Sequence, residues 1–406
     1  MRLLVGPGLF DYVGNDAFLV KALKKVADVK TFDKEAGTLE QVMCALPRQW
    51  SPDAIVIRDA EFCQMPLGLE EADVPVFALV GDYNLSLGNL LPVLGAFDYF
   101  YCDTKGVRIF NKLGFDNCEF FCLYGHDPEV HRDYGLYKDW DAMFIGNMNH
   151  SVQQDREERL YSLALLGDKY RVHIGSLVWG EEYGRFLNRS IMVFNYAIRD
   201  EVNMRFFEAM ACGAVVINRH LDELDLMGFR PDVHYLAEED PVAAMTKYFT
   251  EWTEDKKEEV QQNVKDILKH HTYDSRAQDL VERISSTQVD ISRRRMLQFS
   301  EQERQLRWAR YLSEEVEVNG MGMLNRFHPK VVGWQKHLVN NELEIRNFDF
   351  AMWTWWINLL ARSGQDDFLR QFLSEREALL SPCGCYEQIA DRVRNTLNLS
   401  LYGFHV

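Results

Sequence analysis

The sequence predicts an α/β protein in which two parallel-sheet domains face each other across a cleft, with a helical module at the C-terminus. Short apolar runs alternate with helical segments over residues 1–130, and a second alternation of similar length covers residues 131–287. Strands that alternate with helices favour parallel sheets built from right-handed crossovers. Residues 288–318 predict one long charged helix, and the chain from there to residue 406 carries Trp334, Trp353, Trp355 and Trp356 within apolar helical patterns, with few strand signals. A chain of 406 residues is long enough for three such units.

The first domain begins with a strand at residues 2–5 and a helix at residues 17–26, joined by a turn that contains Gly8. Further apolar runs predict strands at 54–58, 74–80 and 97–102. Asp82 follows the third of the four strands, where a side chain points towards the cleft. It is therefore a candidate catalytic acid.

In the second domain, strands are predicted at residues 142–145, 170–174, 191–195 and 215–218, with helices at 153–166, 204–212, 241–252 and 256–270. Doubly wound, Rossmann-like sheets bind ligands beyond the carboxyl ends of their strands. Gly146 and Asn147 follow the first of these strands, and Gly175 and Ser176 follow the second. We expect all four residues at the cleft. The polar stretch 124–139 is typical of a hinge between domains.

The segment 195–218 carries the most specific pattern. It reads as a polar loop, a short helix that stops at Gly213, and a buried strand. A helix N-terminus presents unpaired N–H groups that suit a phosphate. Asp200 in the loop and Glu208 on the helix supply carboxylates that suit sugar hydroxyls. The pattern therefore indicates a site for a nucleotide sugar.

Charge and composition exclude several classes of partner. The 45 basic and 62 acidic residues give a net charge of −17, so the surface repels nucleic acid and anionic membranes. Gly6, Pro7 and Gly8 interrupt the apolar N-terminus before it could form a signal peptide. No apolar run approaches the roughly 18 residues that span a bilayer. With cysteines scattered like reduced core thiols, the chain is expected to be cytoplasmic.

The order and spacing of these motifs resemble the retaining glycosyltransferases of family 4, and most of all their spore-maturation-protein branch. The signature of that family is an acid, seven residues and then Glu-Ala-Met-Ala-x-Gly, matched here from Asp200 through Glu208 to Gly213. The branch also resembles this chain in Asn203, in Arg205 and in the segment 271–276. The resemblance implies a GT-B fold, a nucleotide diphosphate sugar held mainly by the second domain, and transfer with retention.

Several residue roles are implied by the same resemblance. Glu208 would accept hydrogen bonds from the ribose, and Asp200 would contact the transferred sugar. Arg205 would pair either with the donor diphosphate or with a nearby acid such as Glu201 or Asp200. The backbone N–H groups of Asn203 and Met204 would bind the same phosphates. The remaining implied positions are Gly146 and Asn147 in the cleft, Gly175 and Ser176 near the base, and Gly8 near the leaving phosphate or the acceptor.

This chain departs from the family pattern at two places. Asp200 stands where family 4 usually has Glu, which shortens its reach to the sugar by one methylene. The usual Gly-Phe-Gly-x-Pro between the two acids is replaced by residues 201–205, so the phosphate loop of the family cannot be copied in detail.

We expect neither a metal nor a cofactor beyond the donor substrate. Cys383 and Cys385 lack a second pair at zinc-site spacing, and the histidines show no metal-ligand spacing. Asp139 and Asp141 match the Asp-x-Asp of the other main glycosyltransferase fold. They precede a strand in the predicted hinge, which favours a solvated turn.

Two other functions remain open from the sequence: a nucleotide-sugar epimerase on the same fold, or a non-catalytic protein that keeps the fold for binding or assembly. The sequence does not identify the donor nucleotide, the sugar or the acceptor, which could be a protein, a glycan, a lipid or a small molecule. The tryptophan-rich module over 288–406 predicts a packed helical core, with a homo-oligomer or protein-partner surface as the alternative.

Overall fold

The computed structural model describes residues 1–8, 15–32, 37–58, 60–61, 65–148, 150–197, 200–301, 303–304, 307–308 and 311. Within them lie eleven strands in two sheets. The strands are β1 (Arg2–Gly6), β2 (Asp28–Thr31), β3 (Ala54–Ile57), β4 (Val76–Leu79), β5 (Tyr99–Cys102), β6 (Cys118–Phe120), β7 (Trp140–Ile145), β8 (Val172–Gly175), β9 (Ser190–Phe194), β10 (Val215–Asn218) and β11 (Leu236–Ala237).

Eleven α-helices connect and flank these strands in the described part of the chain. They are α1 (Asn15–Val26), α2 (Leu39–Cys44), α3 (Tyr83–Leu90), α4 (Thr104–Lys112), α5 (His150–Leu165), α6 (Gly180–Asn188), α7 (Met204–Ala211), α8 (Asp222–Leu226), α9 (Pro241–Thr246), α10 (Glu254–Leu268) and α11 (Tyr273–Ser286). The predicted helix over 241–252 is α9 continued by a π-helical turn, Lys247–Glu251.

The first sheet has six parallel strands in the order β2-β1-β3-β4-β5-β6. Its central strands β3 and β4 are buried along their whole length, which explains why their apolar runs could be recognised. The edge strands β2 and β6 were not predicted, because each is short and mixes charged with apolar residues.

The second sheet has five parallel strands in the order β11-β10-β9-β7-β8. The carboxyl ends of β7 and β8 are adjacent, with Ile145 paired to Gly175. Two parallel-sheet, Rossmann-like domains confirm the predicted fold class. The helical C-terminal module of that prediction lies largely outside the described residues.

Helix α11 packs on the first domain, although the predicted boundary at residue 287 assigned it to the second. Its buried side chains, Ala277, Leu280 and Ile284, belong to the same core cluster as Leu19 and Leu23 of α1. The chain therefore returns to the first domain after completing the second. Apolar periodicity in α11 cannot reveal this, because it shows that one face is buried but not against which domain.

The chain divides into two compact units. The first comprises Met1–Tyr83, Gly95–Arg108 and Asp116–Gln298, and so contains both sheets. The second comprises Asn84–Leu94, Ile109–Phe115 and Phe299–Val406, of which few residues beyond 298 are described. Within this second unit Trp308 packs edge-on against Tyr311.

Residues 288–318 were expected to form one long charged helix, and over residues 288–298 that prediction is wrong. Two 3₁₀ turns, Ile291–Arg293 and Arg295–Gln298, occupy this stretch. Between them Arg294 is fully buried in the first domain, where it pairs with Asp98 at 2.7 Å and donates to the carbonyls of Glu70 and Ala72. Anchoring one arginine inward in this way interrupts a continuous helix. The predicted tryptophan core, with Trp334, Trp353, Trp355 and Trp356, lies outside the described residues.

Candidate functional site

Helix α7 presents the central residues of the site. It begins after Asn203, whose extended backbone is typical of an N-cap, and ends before Gly213, which has a left-handed φ of 75°. Phe206, Phe207 and Met210 bury one side of this helix in the second-domain core. The predicted helix and the strand that follows it, β10, are both present.

A cleft of about 880 Å³ lies at the carboxyl ends of β7 and β8, between the two domains. Its volume is within the range of small-molecule sites. From the first domain it is lined by Phe18, Asp82 and Tyr124. The linker and second domain contribute His131, Ile145, Gly146, Asn147, Met148, Arg156, Ser176, Leu177, Val178, Trp179, Gly180, Tyr183, Glu201, Asn203, Met204, Arg205 and Glu208.

Glu208 is a buried carboxylate with one unpaired oxygen. Its Oε1 lies 3.5 Å from His131 Nε2, and its Oε2 makes no hydrogen bond within the described part of the chain. Burial raises the pKa of Glu208 to about 7, partly opposed by the charge of Arg205 and by the Tyr183 hydroxyl. An unpaired acceptor that lines a cleft is costly to bury, and a ligand hydroxyl can satisfy it.

His131, in the linker over residues 124–139, lies beside Glu208. The backbone N–H of Asp127 donates to His131 Nδ1, which leaves the proton of the neutral ring on Nε2, facing Glu208. Burial lowers the pKa of His131 to about 3, so the ring stays neutral at physiological pH. His131 therefore turns a neutral N–H towards Glu208 Oε1 at 3.5 Å and is not its ion-pair partner.

Arg205 lies beneath the cleft and does not pair with either acid considered from the sequence. Its Nε donates to the Ile145 carbonyl and its Nη1 to Asn195, while the guanidinium lies 4.6 Å from the centre of the Phe144 ring. A Cβ on Gly146 would overlap Arg205 Nη2. Gly146 thus makes room for this guanidinium, whereas the sequence suggested that it admitted the ligand to the backbone.

A second buried guanidinium, Arg156 of α5, was not predicted. It donates to the carbonyls of Asn147 and Tyr196 and lies 5.3 Å from the Phe144 ring. Burial and the nearby Arg205 lower the pKa of Arg156 to about 9. Two cations that lie on one ring at the edge of a cleft are of a kind that suits a multiply charged anion.

The remaining predicted site residues divide into two groups. Asn147, Ser176, Asn203 and Met204 line the cleft, and Asn203 Oδ1 is a second buried acceptor without a partner among the described residues. Gly175 and Gly8 are not among the lining residues, although the Gly175 carbonyl accepts a hydrogen bond from Gly146 N.

An apolar wall on the second domain was missed by the sequence reasoning. Met148, Leu177, Trp179 and Met204 are exposed large apolar side chains, and all four line the cleft. Exposed apolar side chains that cluster in a cleft are typical of a binding surface. Nothing in the sequence separates them from ordinary core residues, because they come from three separate segments.

The structure does not place Asp200 at the cleft. Asp200 has a left-handed φ of 62°, and its half-exposed carboxylate pairs with Arg219 and with Lys105 of the first domain. The neighbouring Glu201, which is buried, lines the cleft instead. The acid that lines the cleft is therefore Glu201 and not the predicted Asp200, because the backbone turns at Asp200 and two cations hold its carboxylate outside the cleft.

Glu223 of α8 ties the loop before α7 to the first domain. Its Oε1 accepts hydrogen bonds from Thr104 N and Oγ1 at 2.6 and 3.0 Å, and its Oε2 accepts one from Val202 N at 3.1 Å. Burial and the nearby Asp103 raise the pKa of Glu223. One carboxylate thus bridges the start of α4 and the loop before α7.

On the first-domain wall, Asp82 lines the cleft as expected for its place after β4. The backbone N–H of Gly81 beside it donates to Glu61, which is buried. Burial, with the charge of Asp82 as a further cause, raises the pKa of Glu61 to about 7. The first-domain wall therefore has two neighbouring carboxyl groups, Glu61 and Asp82. Of these two, Asp82 lines the cleft and Glu61 does not.

Among the described residues, no three His, Cys, Asp or Glu side chains are grouped so that they could hold a metal ion. Over the same residues, no helix is both long and apolar enough to cross a membrane.

Two parallel-sheet domains with a ligand-sized cleft at the strand ends define a GT-B fold. Residues 147–282 match a protein family described as glycosyl transferase-like. The chain therefore contains a glycosyltransferase-like region within a GT-B fold, and this region carries most of the residues that line the cleft.

Solved structures support the same fold. Trehalose-6-phosphate synthase OtsA matches with a TM-score of 0.54 at 11% identity, over 71% of this chain and 100% of that one. An E. coli structure described as trehalose-6-phosphate bound with UDP-2-fluoro glucose matches with a TM-score of 0.52 at 10% identity, over 71% and 100%. Sucrose-phosphate synthase from Thermosynechococcus elongatus matches with a TM-score of 0.50 at 11% identity, over 69% and 97%. No curated protein sequence matches the chain.

Proposed function

We propose that the cleft binds a nucleoside diphosphate sugar and that the enzyme transfers its sugar to an acceptor, with retention and without a metal ion. The observation that carries this proposal is Glu208 Oε2, a buried carboxylate oxygen without a partner among the described residues, in a cleft that also holds two buried guanidinium groups. A carboxylate suits sugar hydroxyls, and the guanidinium pair suits a diphosphate.

In the proposed reaction, the bond between the anomeric carbon and the diphosphate oxygen breaks, and a bond from that carbon to an acceptor hydroxyl forms. The acceptor proton passes to the departing diphosphate. Negative charge grows on that diphosphate, so cations fixed in place beforehand lower the barrier. Arg156 and Arg205 fill this role in the proposal, and for that reason a divalent ion is not required.

The other cleft residues take roles that agree with this orientation. Glu208 accepts from the ribose, with Asn203 nearby, and the apolar wall around Trp179 contacts the base. Glu201 replaces Asp200 as the acid next to the transferred sugar. Asp82 faces the acceptor hydroxyl from the first domain.

Three further features belong to the same proposal. The enzyme shares with family 4 and its spore-maturation-protein branch a reaction that retains the anomeric configuration of the donor. It acts in the cytoplasm. The structure that matches with a TM-score of 0.52 is described as bound with UDP-2-fluoro glucose, and the one that matches with 0.54 is described as a trehalose-6-phosphate synthase. These descriptions favour a hexose donor.

Thermal unfolding in the presence of nucleoside diphosphate sugars tests the donor site. A ligand at about 100 times its Kd should stabilise the folded enzyme by roughly 2.7 kcal/mol. Glu208→Ala should abolish this shift while Glu258→Ala, at an exposed position on α10, should retain it. If wild type shows no shift with any UDP, GDP, ADP or dTDP sugar, the donor assignment is wrong.

Turnover then separates the proposed reaction from its rivals. Transfer that persists in EDTA and gives a product with the donor's anomeric configuration is expected. An isomerised sugar formed from donor alone would identify an epimerase. Tight donor binding without turnover over a broad acceptor panel would identify a non-catalytic binding protein.

A further inference from the structure

A second cavity, of about 580 Å³, lies against the second domain. The linker lines it through residues 126–138, together with the C-terminal end of α7, the start of β10 and one face of α10. His131 is the one residue that lines both this cavity and the cleft. We call this second cavity the basic pocket.

The basic pocket concentrates positive charge on a chain whose net charge is −17. Among its lining residues, four are arginine or lysine and one is acidic. These are Arg132, Lys138, Lys265 and Lys269, with Asp133 as the acid. An excess of cations in a concave site attracts anions and raises their local concentration.

The acid of the basic pocket is already engaged by protein donors. Asp133 accepts hydrogen bonds from Asn188 Nδ2 and Gly135 N, both at 2.9 Å. Those bonds, followed by the charges of Lys138 and Lys265, keep its pKa below the usual range. Asp133 therefore offsets one positive charge and leaves the pocket with an excess of cations.

Lys138 is the most precisely placed of the cations. It is half-buried, and its Nζ donates to the carbonyls of Asn188 at 2.6 Å and Gly213 at 3.0 Å. An ammonium group has three N–H donors, so one remains for a ligand. Arg132 and Lys265 are exposed at the rim, where their long side chains can turn towards a ligand.

The floor of the basic pocket is apolar. Met210 contributes from α7, Ala214 from the residue before β10, and Val260, Val264 and Leu268 from α10. Cations around an apolar floor, in a volume typical of small-ligand sites, match a molecule with both an anionic group and an organic body. Several cations favour a dianion over a single carboxylate.

We propose that the basic pocket is a second binding site, for a small organic phosphate, and that its occupancy changes the affinity of the cleft for the donor. Helix α7 carries Glu208 towards the cleft and Met210 towards the basic pocket. His131, whose Nε2 faces Glu208, is followed directly by Arg132. A phosphate that draws Arg132 inward therefore also moves the adjacent His131, whose ring lies beside Glu208 Oε1. The existence of the site is independent of the donor assignment, whereas its effect on donor binding rests on the proposed function.

Titration calorimetry with inorganic phosphate, pyrophosphate and fructose 1,6-bisphosphate tests the site in the full-length protein. At least one of these probes should bind saturably. The double variant Arg132→Glu/Lys265→Glu should weaken that binding by at least about tenfold. Lys256→Glu, a charge reversal of the same kind at one position of α10 outside the pocket, should leave it within about twofold.

The same titrations identify the outcomes that overturn the proposal. No saturable binding of any probe at millimolar concentrations would exclude the site. Equal weakening by Lys256→Glu would mean that only general electrostatics is at work. Loss of probe binding in Arg205→Gln but not in the double variant would place the phosphate in the cleft.

The effect on the cleft is measured separately, as donor Kd with and without saturating probe. A change of about five-fold or more is expected in wild type and none in the double variant. A probe that binds without changing donor Kd would refute the coupling. A protein that binds the probe but no nucleotide sugar would refute the proposed function while leaving the site itself established.

Discussion

At the scale of single residues, the site depends on close packing around two guanidinium groups and one carboxylate. Arg205 can lie under the cleft only because position 146 has no side chain. Its neighbours Ile145 and Asn195 hold it through two hydrogen bonds of 2.8 and 2.9 Å. Small changes there should alter ligand binding more than folding.

Gly146→Ala should weaken donor binding by about tenfold or more, because the new methyl group displaces Arg205 Nη2. The far end of the arginine can move, so the protein should still fold. Gly167→Ala is the matched control, since a methyl group at that position would meet no atom within 4 Å. Calorimetry with the identified donor measures both variants, and equal affinities would contradict this role for Gly146.

Glu208 should also leave a signature in the pH dependence of stability. Its pKa is raised to about 7 in the folded protein from an ordinary value of 4.5. Between these values the unfolded chain loses the proton first, so wild type loses stability as pH rises, by up to about 3 kcal/mol at roughly 1.4 kcal/mol per pKa unit. Below pH 4.5 the two states are equally protonated at this residue.

Glu208→Gln removes this titration. Relative to wild type, the variant should therefore gain free energy of unfolding as pH is raised from 4.5 to about 7 and stay constant above it. Urea unfolding at a series of pH values measures the difference, with the exposed Glu258→Gln as control. A difference that does not change with pH would contradict the burial of an uncompensated carboxylate.

At the scale of elements, Glu223 of α8 joins α4 of the first domain to the loop before α7. Removing its carboxylate leaves the N–H groups of Thr104 and Val202 without their acceptor. Glu223→Ala should therefore lower the free energy of unfolding by about 2 kcal/mol and weaken donor binding through the released loop.

Asp225→Ala on the same helix is the control, because that acid is more than half exposed and pairs with the half-exposed His220. Its unfolding free energy should stay within about 0.5 kcal/mol of wild type. Urea denaturation and donor calorimetry on both variants decide the matter. Equal stability of the two variants would show that Glu223 does not bridge the domains.

The elements also show what a sequence can and cannot predict. Helix α7 and strand β10 were predictable, because Gly213, the buried face of the helix and the β-branched run are local signals. Arg156 was not predictable, since α5 carries another arginine and nothing local distinguishes the one that turns inward. Asp200 was assigned to the cleft because spacing alone ignores a left-handed backbone, which turns Glu201 inward instead.

At the scale of the whole molecule, the two-domain α/β architecture followed from the alternation of strands and helices, while the position of α11 did not. Which domain a terminal helix covers depends on contacts between residues far apart in the chain, such as Leu280 with the core around Leu23. Such contacts leave no mark on local periodicity.

Leu280→Ala tests the packing of α11. The side chain is fully buried, so its truncation should lower the free energy of unfolding by about 2–5 kcal/mol. Because α11 lies on the first domain, donor Kd in the folded variant should remain within about twofold of wild type. Urea unfolding and calorimetry measure the two effects. A large loss of donor affinity without loss of stability would contradict the assignment of α11.

The return of α11 means that the polypeptide passes between the two sheet domains twice, and the two passages are hydrogen-bonded to each other. His126 N donates to the His271 carbonyl, and Tyr273 N donates to the His126 carbonyl. Two connections that are hydrogen-bonded to each other restrict the relative motion of the two sheet domains more than a single connection does. We therefore expect the motion that remains to be a hinge rotation of one domain against the other, about an axis through these two connections. The cleft would then open by rotation about this one axis, and substrates would enter from the edge of the cleft opposite the two connections.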